Sequence, residues 1–191
     1  FPDNKPEQGL HSLYSKIMLF KRTTGEPLAL VDGTSVTYWR TAAISALASK
    51  LLSNPLSKHF VLFGTGNLAP YLLKAHLQVR ALTKVTIVAR SKDKAMKLIN
   101  PLQADYPNIE FAVSDSVEHS VKTADIVCCA TASGEPLFDG NHLQQGTHVD
   151  CLGNHNKDQR ECDSTTVMRA RVFVDSRINN LAEAGELLLP M

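Results

Sequence analysis

Short apolar runs alternate with segments of helical spacing from His59 to near the end of the chain. The runs read "FVLF", "KVTIVA", "IEFAV", "DIVCCA", "THVDCLG" and "VFVDS", and the helical segments among them read "LAPYLLKAHLQV", "DKAMKLINPLQADY" and "SVEHSVK". Strands that alternate with helices pair in parallel, and the helices cover both faces of the sheet. The runs are rich in Val, Ile, Phe and Cys, as doubly buried strands are. The sequence therefore predicts an α/β fold with a doubly wound parallel sheet.

The N-terminal part has a different pattern. Residues 15–39 read as antiparallel strands, "SKIMLFKR", "LALV" and "TSVTYW", separated by the turn "TTGEP" and by Asp32-Gly33. Asp-Gly between apolar runs is a strong hairpin signal. A small antiparallel sheet is therefore predicted ahead of the parallel one.

The segment "RTAAISALASKLL" changes to helical spacing and is predicted to end at Asn54-Pro55. Small side chains recur along one face of this helix at i, i+3, i+4 and i+7, which allows another backbone to approach closely. These small residues are Ala42, Ser45, Ala46 and Ser49.

Composition excludes several classes of partner. The 191 residues are 43% apolar, enough for the core of one domain or of one domain with an appendage. The 20 basic and 19 acidic residues give a net charge of +1 without a long run of either sign. This balance argues against nucleic acid and anionic membranes and favours small-molecule partners. No apolar stretch is long enough to span a bilayer, and "FPDNKPEQG" lacks the plan of a signal peptide, so a cytoplasmic protein is expected.

The four cysteines, Cys128, Cys129, Cys151 and Cys162, contain no CxxC pair. Two of them lie in the run "DIVCCA", where cysteine behaves as a small hydrophobe, so no disulfide framework is expected. Cys151 and His155 could be drawn as metal ligands, but no second ligand pair stands at a zinc-like spacing. No metal site is therefore predicted.

The run "HFVLF" leads into a turn with two glycines, Gly64 and Gly66, and Ala69 completes the pattern GxGxxG/A. The first glycine permits a tight turn, the second lets a pyrophosphate approach the backbone, and the small third residue lets the helix pack on the strand. With a strand before it and a helix after it, the pattern predicts a Rossmann-like dinucleotide site at residues 64–69, and a plain structural turn is the alternative. The other residues of this turn are Thr65, Asn67 and Leu68.

The end of the second predicted strand indicates which dinucleotide binds. An NAD site usually places Asp or Glu there for the ribose hydroxyl, whereas an NADP site offers Arg. Here Ala89 and Arg90 occupy that point. Arg90, Ser91 and Lys92 would surround a 2′-phosphate with a guanidinium, a hydroxyl and a second positive charge. NADP(H) is therefore the preferred cofactor and NAD(H) remains possible, while a solvated basic loop beside Asp93 is the alternative.

Small polar residues follow the run "DIVCCA", and they include Thr131 and Ser133. Ligands of open α/β sheets bind along the carboxyl edge of the strands. Contact with cofactor or substrate is therefore predicted at these two residues, and an ordinary connecting loop is the alternative.

Taken together, these motifs resemble those of the ornithine cyclodeaminase/mu-crystallin family, which includes ketimine reductases, pyrroline-2-carboxylate reductases and certain alanine and opine-type dehydrogenases. The stretches that carry the resemblance, in the family's order, are "FPDN", "TGEPLALVDG", "TYWRTAAISALASKLL", "FGTGNLA", "VCCATASGEPLFDG", "GTHVDCLGNHNKDQRECD", "VFVDS" and "EAGELLLP". The resemblance implies a Rossmann domain for NAD(P) and a platform, built from the N- and C-terminal segments, that dimerises and covers the substrate.

On this resemblance, residues 1–53 are part of the platform with a connecting helix, residues 54–180 are the dinucleotide-binding domain, and residues 181–191 begin the return to the platform. Arg40 is expected to bind the substrate carboxylate, because the arginine of the family's RTA motif has that role. A forked guanidinium pairs bidentately with a carboxylate and fixes its orientation. From the residues alone, Arg40 would be a surface arginine at a strand end.

The chain also departs from the family. Members begin earlier and continue past "EAGELLLP", so the chain is expected to be a fragment of a longer protein that forms a homodimer. Ornithine cyclodeaminases have a catalytic aspartate soon after the glycine of "CLGNHNKDQRECD", where this chain has Asn154, His155 and Asn156. His155 could carry a proton near neutral pH, and Asp158 lies further along. Leu68 replaces a glutamine that many relatives have in the glycine turn.

The expected function is NADPH-dependent reduction of the C=N bond of a cyclic or open-chain 2-imino acid, of the pyrroline- or piperideine-2-carboxylate kind. Hydride would pass from the nicotinamide to the imine carbon while Arg40 holds the carboxylate. Ornithine cyclodeaminase, which performs a deaminating cyclisation with NAD, is the enzyme alternative, and Arg90 and the missing aspartate disfavour it. A mu-crystallin-like protein that binds NADPH and a carboxylate ligand without turnover is the other alternative.

Overall fold

The computed structural model describes residue 4 and residues 8–11, 13–154 and 156–190. Its strands are β1 (Lys16–Phe20), β2 (Pro27–Asp32), β3 (His59–Phe63), β4 (Lys84–Val88), β5 (Glu110–Val113), β6 (Ile126–Cys129) and β7 (His148–Cys151). Its helices are α1 (Gly33–Leu52), α2 (Ala69–Val79), α3 (Lys92–Asp105), α4 (Val117–Thr123), α5 (Ser164–Arg169), α6 (Arg177–Glu183) and α7 (Gly185–Leu188).

Strands β3 to β7 form one parallel sheet with the order β5–β4–β3–β6–β7. From β3 the chain moves outward through β4 to β5 and then crosses back, so that β6 lies on the other side of β3. The predicted doubly wound α/β fold is confirmed. The strand order reverses between β3 and β6, and the crevice outside their carboxyl ends is where ligands bind in folds of this kind.

The two faces of the central strand β3 supply two separate cores. All five of its residues are buried. Phe60 and Leu62 face helices α1, α2 and α3. Val61 and Phe63 face the opposite layer, where the rings of Phe63 and Phe138 lie with their centroids 5.5 Å apart. The end of β3 is therefore held from both sides, which fixes the position of the turn that follows it.

Residues 33–39 form the start of α1, so the third antiparallel strand predicted there is wrong. Asp32 is the N-cap of the helix, and its carboxylate accepts a hydrogen bond from the amide of Thr34 at 3.2 Å. The hydroxyl of Thr34 in turn accepts one from the amide of Ser15 at 3.0 Å. Asp-Gly suits either a hairpin or a capped helix, and here the Asp32 side chain satisfies a free amide of the first helical turn.

The predicted stripe of small residues and the predicted end of α1 are confirmed. The helix packs against α2 and β7, and the hydroxyl of Ser45 reaches Asp150 of β7. It ends at Leu52, with Ser53 as its C-cap, just before Asn54-Pro55. The buried residues of the stripe are Ala42, Ser45, Ala46 and Ser49.

The predicted strand at "VFVDS" is wrong, because residues 171–174 have no regular secondary structure. Val172, Phe173 and Val174 are 47%, 53% and 38% exposed. Together with β7 they line a cleft of about 930 Å³, and no hydrogen bond joins them to β7 within the described residues. An apolar run becomes a strand only where its backbone groups find partners, and this run has none at the sheet edge.

Within the residues that the structure describes, the small antiparallel sheet has two strands, β1 and β2. In the described part of the chain, no helix is long enough and apolar enough to cross a membrane. All four cysteines are free thiols. Among the residues that the structure describes, no group of three or more His, Cys, Asp or Glu side chains is arranged to hold a metal ion.

Candidate functional site

The turn after β3 is built around Gly64. Its φ of +112° lies in the region that favours glycine. The Gly64 amide donates a hydrogen bond to the Val88 carbonyl of β4 at 3.0 Å. On the other side, a Cβ atom on Gly64 would lie 2.5 Å from the carbonyl oxygen of Ala130, which follows β6. Gly64 therefore lies between the ends of two neighbouring strands, and a larger residue does not fit there.

The rest of the turn presents backbone amides without a protein acceptor. Within the described part of the chain, the N–H groups of residues 65–68 donate no hydrogen bond. Helix α2 begins at the buried Ala69, with Pro70 in its first turn and no side-chain cap from Leu68. No atom lies within 4 Å of the place where a Cβ on Gly66 would be. Free amides at a helix N-terminus attract anions, so the turn has both the donors and the space for a pyrophosphate.

The basic residues after β4 lie at the carboxyl end of the strand next to β3. Arg90 and Lys92 are exposed, and they form no ion pair with Asp93 or any other described residue. Ser91 caps α3, accepting a hydrogen bond from the amide of Lys94 at 3.3 Å, and its hydroxyl hydrogen is free to donate. This segment therefore offers two free cations and a hydroxyl to an anionic ligand.

The loop after β6 uses the hydroxyls of Thr131 and Ser133 to hold its own backbone. The Thr131 hydroxyl donates to Glu161 at 2.7 Å and accepts from the Ser133 amide at 3.1 Å. The Ser133 hydroxyl donates to the carbonyl of Glu135 at 2.7 Å. Thr131 and Ser133 thus lie at the carboxyl edge of the sheet, as the sequence predicts, but their hydroxyls are already engaged.

Glu161, which no sequence pattern indicates, lies in the loop after β7 and connects Gly153 of that loop with Thr131 of the loop after β6. Its side chain is fully buried. One carboxylate oxygen accepts hydrogen bonds from the amide and the hydroxyl of Thr131, and the other accepts one from the amide of Gly153, each at 2.7 Å. Burial raises the pKa of the Glu161 carboxyl above its usual range. The segment "DQRECD" shows no apolar pattern that signals such burial.

Arg40 lies on α1 and not at a strand end. Its side chain is exposed, and no described residue forms a hydrogen bond or an ion pair with its guanidinium. The rings of its neighbours Tyr38 and Trp39 pack on Tyr71 of α2, with centroid distances of 5.2 Å and 4.9 Å. Tyr38, Tyr71 and Asn67 also line a cleft of about 580 Å³. The structure therefore places Arg40 on the helix that flanks the glycine turn, without a hydrogen bond to that turn.

His155 lies outside the described residues. Its neighbour Asn154 donates a hydrogen bond from its side-chain amide to the carbonyl of Ser133, which joins the loops after β6 and β7 a second time. Asn156 donates to the side chain of Gln159 at 3.0 Å. Asp158 is exposed and has no ion pair within the described ranges.

A sequence model described as the ornithine cyclodeaminase/mu-crystallin family matches residues 1–190. The chain belongs to this family. Delta(1)-pyrroline-2-carboxylate reductase from Colwellia psychrerythraea is 63% identical over 191 residues, which cover 100% of this chain and 60% of that protein. Ketimine reductase mu-crystallin from Mus musculus is 31% identical over 189 residues, which cover 99% of this chain and 59% of that protein.

The fold of the family is shared as well. The structure of Thermococcus litoralis Delta(1)-pyrroline-2-carboxylate reductase, in complex with NADH and L-proline, matches with a TM-score of 0.89 at 33% identity. The match covers 97% of this chain and 57% of that one. The chain thus spans about 60% of the length of the relatives that it matches.

Alanine substitutions at the two glycines should separate folding from ligand binding. Gly64→Ala places a side chain at a positive φ and against the Ala130 carbonyl, so we expect the free energy of unfolding to fall by about 2–3 kcal/mol. Gly66→Ala adds a methyl group in open space, so the change should stay below about 0.5 kcal/mol. The same methyl group should weaken binding of a nicotinamide dinucleotide, because it would occupy the open space beside the free amides of the turn.

Urea denaturation measures the first effect of these substitutions, and a fluorescence titration with NADPH measures the second. An equal loss of stability in both variants, or unchanged NADPH affinity in Gly66→Ala, would contradict this role for the turn.

Proposed function

We propose that the protein reduces the C=N bond of a cyclic or open-chain 2-imino acid, of the pyrroline- or piperideine-2-carboxylate kind, with NADPH as the hydride donor. The main support is the turn at residues 64–69, whose unpaired amides and open second glycine fit a dinucleotide pyrophosphate. The names of the relatives support the same reaction, since a Delta(1)-pyrroline-2-carboxylate reductase is 63% identical over the whole chain.

The cofactor site follows the carboxyl ends of β3 and β4. The amides of residues 65–68 hold the pyrophosphate, and the N-terminus of α2 adds the positive end of its dipole. Bound NADPH supplies the hydride that passes to the imine carbon. The loops after β6 and β7 form the facing wall of the crevice, and their internal hydrogen bonds keep that wall in place.

Arg40 is the proposed ligand of the substrate carboxylate. Its guanidinium is exposed and unpaired within the described residues, so both arms of the fork are free to pair with a carboxylate. The packing of Tyr38 and Trp39 on Tyr71 attaches this part of α1 to the first turns of α2. A carboxylate held beside the dinucleotide determines which face of the imine meets the nicotinamide.

NADPH is preferred over NADH in this proposal because of the segment after β4. Arg90, Ser91 and Lys92 stand where an NAD site carries an acidic residue, and their unpaired charges favour an additional phosphate. The relative from T. litoralis was solved with NADH. A preference for NADPH therefore depends on these residues of this chain.

Deaminating cyclisation fits this chain less well. It requires a carboxylate near the substrate nitrogens to accept and return protons. The side chains of Asn154 and Asn156 are amides that do not titrate in the useful range, and both are hydrogen-bonded to neighbouring protein groups. His155 is the proposed group for proton transfer in simple reduction, since an imidazole titrates near neutral pH.

We also propose that the complete protein is a cytoplasmic homodimer in which β1 and β2 contribute to the interface. Large apolar side chains of this two-stranded sheet are exposed. An apolar surface of this kind marks an interaction site in folded proteins. The exposed residues that support the proposal are Met18, Phe20, Leu28 and Leu30.

The reaction is tested with the protein as its natural gene encodes it. Pyrroline-2-carboxylate is supplied with NADPH, and ornithine and alanine are each supplied with NAD⁺. We expect NADPH to be consumed with the cyclic imine, and no ammonia above background from ornithine. Formation of ammonia and proline from ornithine would show a cyclodeaminase, and NADPH binding without turnover of any substrate would show a binding protein.

The same assay tests the role of Arg40. Arg40→Ala should lower kcat/KM for the imine by about a hundredfold while cofactor affinity stays the same, because the carboxylate and the pyrophosphate occupy different subsites. Arg40→Lys should restore little, since an ammonium does not reproduce the fork. Lys50→Ala, at an exposed cation in the last turn of the same helix and away from the glycine turn, is the matched control. Unchanged kinetics in Arg40→Ala would show that Arg40 is a surface residue.

Cofactor preference is tested with Arg90→Ala. The variant should lose most of the preference for NADPH over NADH, because a charge-assisted contact with the 2′-phosphate contributes about 1.5–3 kcal/mol. Dissociation constants for both cofactors are measured by fluorescence titration, with Lys97→Ala as a control on the exposed side of α3. Equal affinities for NADPH and NADH in the unmutated protein would rule out the assignment.

A further inference from the structure

We propose that Glu161 is a positioning residue for the dinucleotide, which it does not itself touch. It fixes the loops after β6 and β7 against the glycine turn, so that the wall of the crevice is formed before the cofactor arrives. This inference rests on the proposed dinucleotide site and assigns a role to a buried acid within it.

The hydrogen bonds of Glu161 reach across the sheet edge. Thr131 begins the loop after β6, and Gly153 lies in the loop after β7. The carboxylate accepts two hydrogen bonds from Thr131 and one from Gly153, all at 2.7 Å. No backbone hydrogen bond joins residues 131–135 to residues 152–154 within the described chain. Further along the same loops, the Arg160 amide donates to the Gly134 carbonyl at 3.3 Å, and the Leu137 amide donates to the Glu161 carbonyl at 2.8 Å. Next to the strand ends, the Glu161 carboxylate and the Asn154 side chain join the two loops.

The anchored loops pack directly against the glycine turn. A Cβ on Gly64 would lie 3.4 Å from the methyl group of Thr131 and 2.5 Å from the carbonyl oxygen of Ala130. A Cβ on Gly153 would overlap the carbonyl of Thr131 and the carboxylate of Glu161. The Ala130 carbonyl lies close to Gly64, and the Ala130 amide donates to the Phe63 carbonyl of β3 at 3.0 Å. A shift of the loop that Thr131 begins is therefore transmitted through Ala130 to the turn proposed to hold the pyrophosphate.

A carboxylate suits this position and an amide does not. All three groups that face the Glu161 side chain are hydrogen-bond donors, and a carboxylate accepts at both oxygens. A glutamine at this position keeps one oxygen and replaces the other with an NH₂ group. That NH₂ group would face the backbone N–H of either Thr131 or Gly153, and two donors cannot form a hydrogen bond with each other. No basic side chain of the described residues pairs with Glu161. The side chain of the nearby Glu186 accepts a hydrogen bond from the backbone amide of Glu161 at 3.0 Å.

Preorganisation explains how this residue affects binding from a distance. A loop that must be ordered on binding costs affinity, and a loop already held in its bound shape does not. Removing one hydrogen bond to the buried Glu161 carboxyl is therefore expected to reduce cofactor affinity by roughly tenfold, although Glu161 itself does not touch the cofactor.

The test compares Glu161→Gln and Thr131→Val with the unmutated protein. Thr131→Val removes the hydroxyl that donates to Glu161 and accepts from the Ser133 amide, but it keeps the Glu161 carboxyl and the hydrogen bond from the Thr131 amide. Glu110→Gln, at an exposed carboxylate that pairs with Lys84 at the opposite end of the sheet, is the matched control. Two quantities are measured for each protein: the dissociation constant of NADPH, and amide hydrogen exchange at Thr131 and Gly153.

We expect Glu161→Gln to raise the NADPH dissociation constant about tenfold. The rate of amide exchange at Gly153 or Thr131 should rise by about tenfold or more. Exchange in β3 and β4 should stay unchanged, and Thr131→Val should raise the dissociation constant by a smaller factor. Unchanged affinity and unchanged exchange in Glu161→Gln would overturn the proposal. Faster exchange throughout the sheet would also overturn it, since it would show a general stabilising role.

Two further outcomes remain decisive. If Glu161→Gln does not fold, Thr131→Val carries the test, and an unchanged NADPH affinity in that variant would overturn the proposal. If the unmutated protein binds neither NADPH nor NADH, the proposed function fails. In that case the exchange rates of Thr131 and Gly153 still show whether Glu161 holds the two loops.

Discussion

The burial of β3 on both faces is the constraint on which the rest of the structure depends. Its five residues are all buried, with Phe60 and Leu62 in one core and Val61 and Phe63 in the other. Its two neighbours, β4 and β6, pair with it along their lengths. The chain leaves this strand between two occupied strand ends, and a residue without a side chain, Gly64, makes that exit possible. The geometry of the site thus follows from the packing of the sheet.

The sequence predicts this part of the structure well because its signals are local. Apolar runs separated by helical segments specify parallel strands wherever the helices are long enough to cross over. Asp32-Gly33 is different, since the same pair suits a hairpin and a capped helix. The choice depends on the Ser15 amide and on the packing of Tyr38 and Trp39 against Tyr71, contacts that a local pattern does not contain. The run "VFVDS" fails as a strand for a similar reason, because strand formation depends on a partner.

The candidate site also contains parts that a local sequence pattern predicts and parts that depend on tertiary contacts. The glycine turn and the basic segment after β4 are each a short continuous stretch that follows a strand. The local sequence pattern therefore predicts that both lie at the carboxyl edge of the sheet. Thr131 lies where its position after a buried strand predicts, yet its hydroxyl is bound to Glu161. Glu161 itself was not predictable, because its burial requires that the loops after β6 and β7 meet. A polar segment such as "DQRECD" is typical of a solvated surface, and only the fold shows that one of its acids lies inside.

The central claim is that a nicotinamide dinucleotide binds at the carboxyl ends of β3, β4 and β6. It is tested most directly by titrating the isotope-labelled protein with NADPH and following the backbone amide signals by NMR. We expect the largest shift changes at residues 64–69, 90–92 and 131–133, and little change at the amino ends of the same strands, near His59 and Asp125. Absence of shift changes at millimolar NADPH, or changes centred on the cleft between β7 and residues 171–174, would contradict this account.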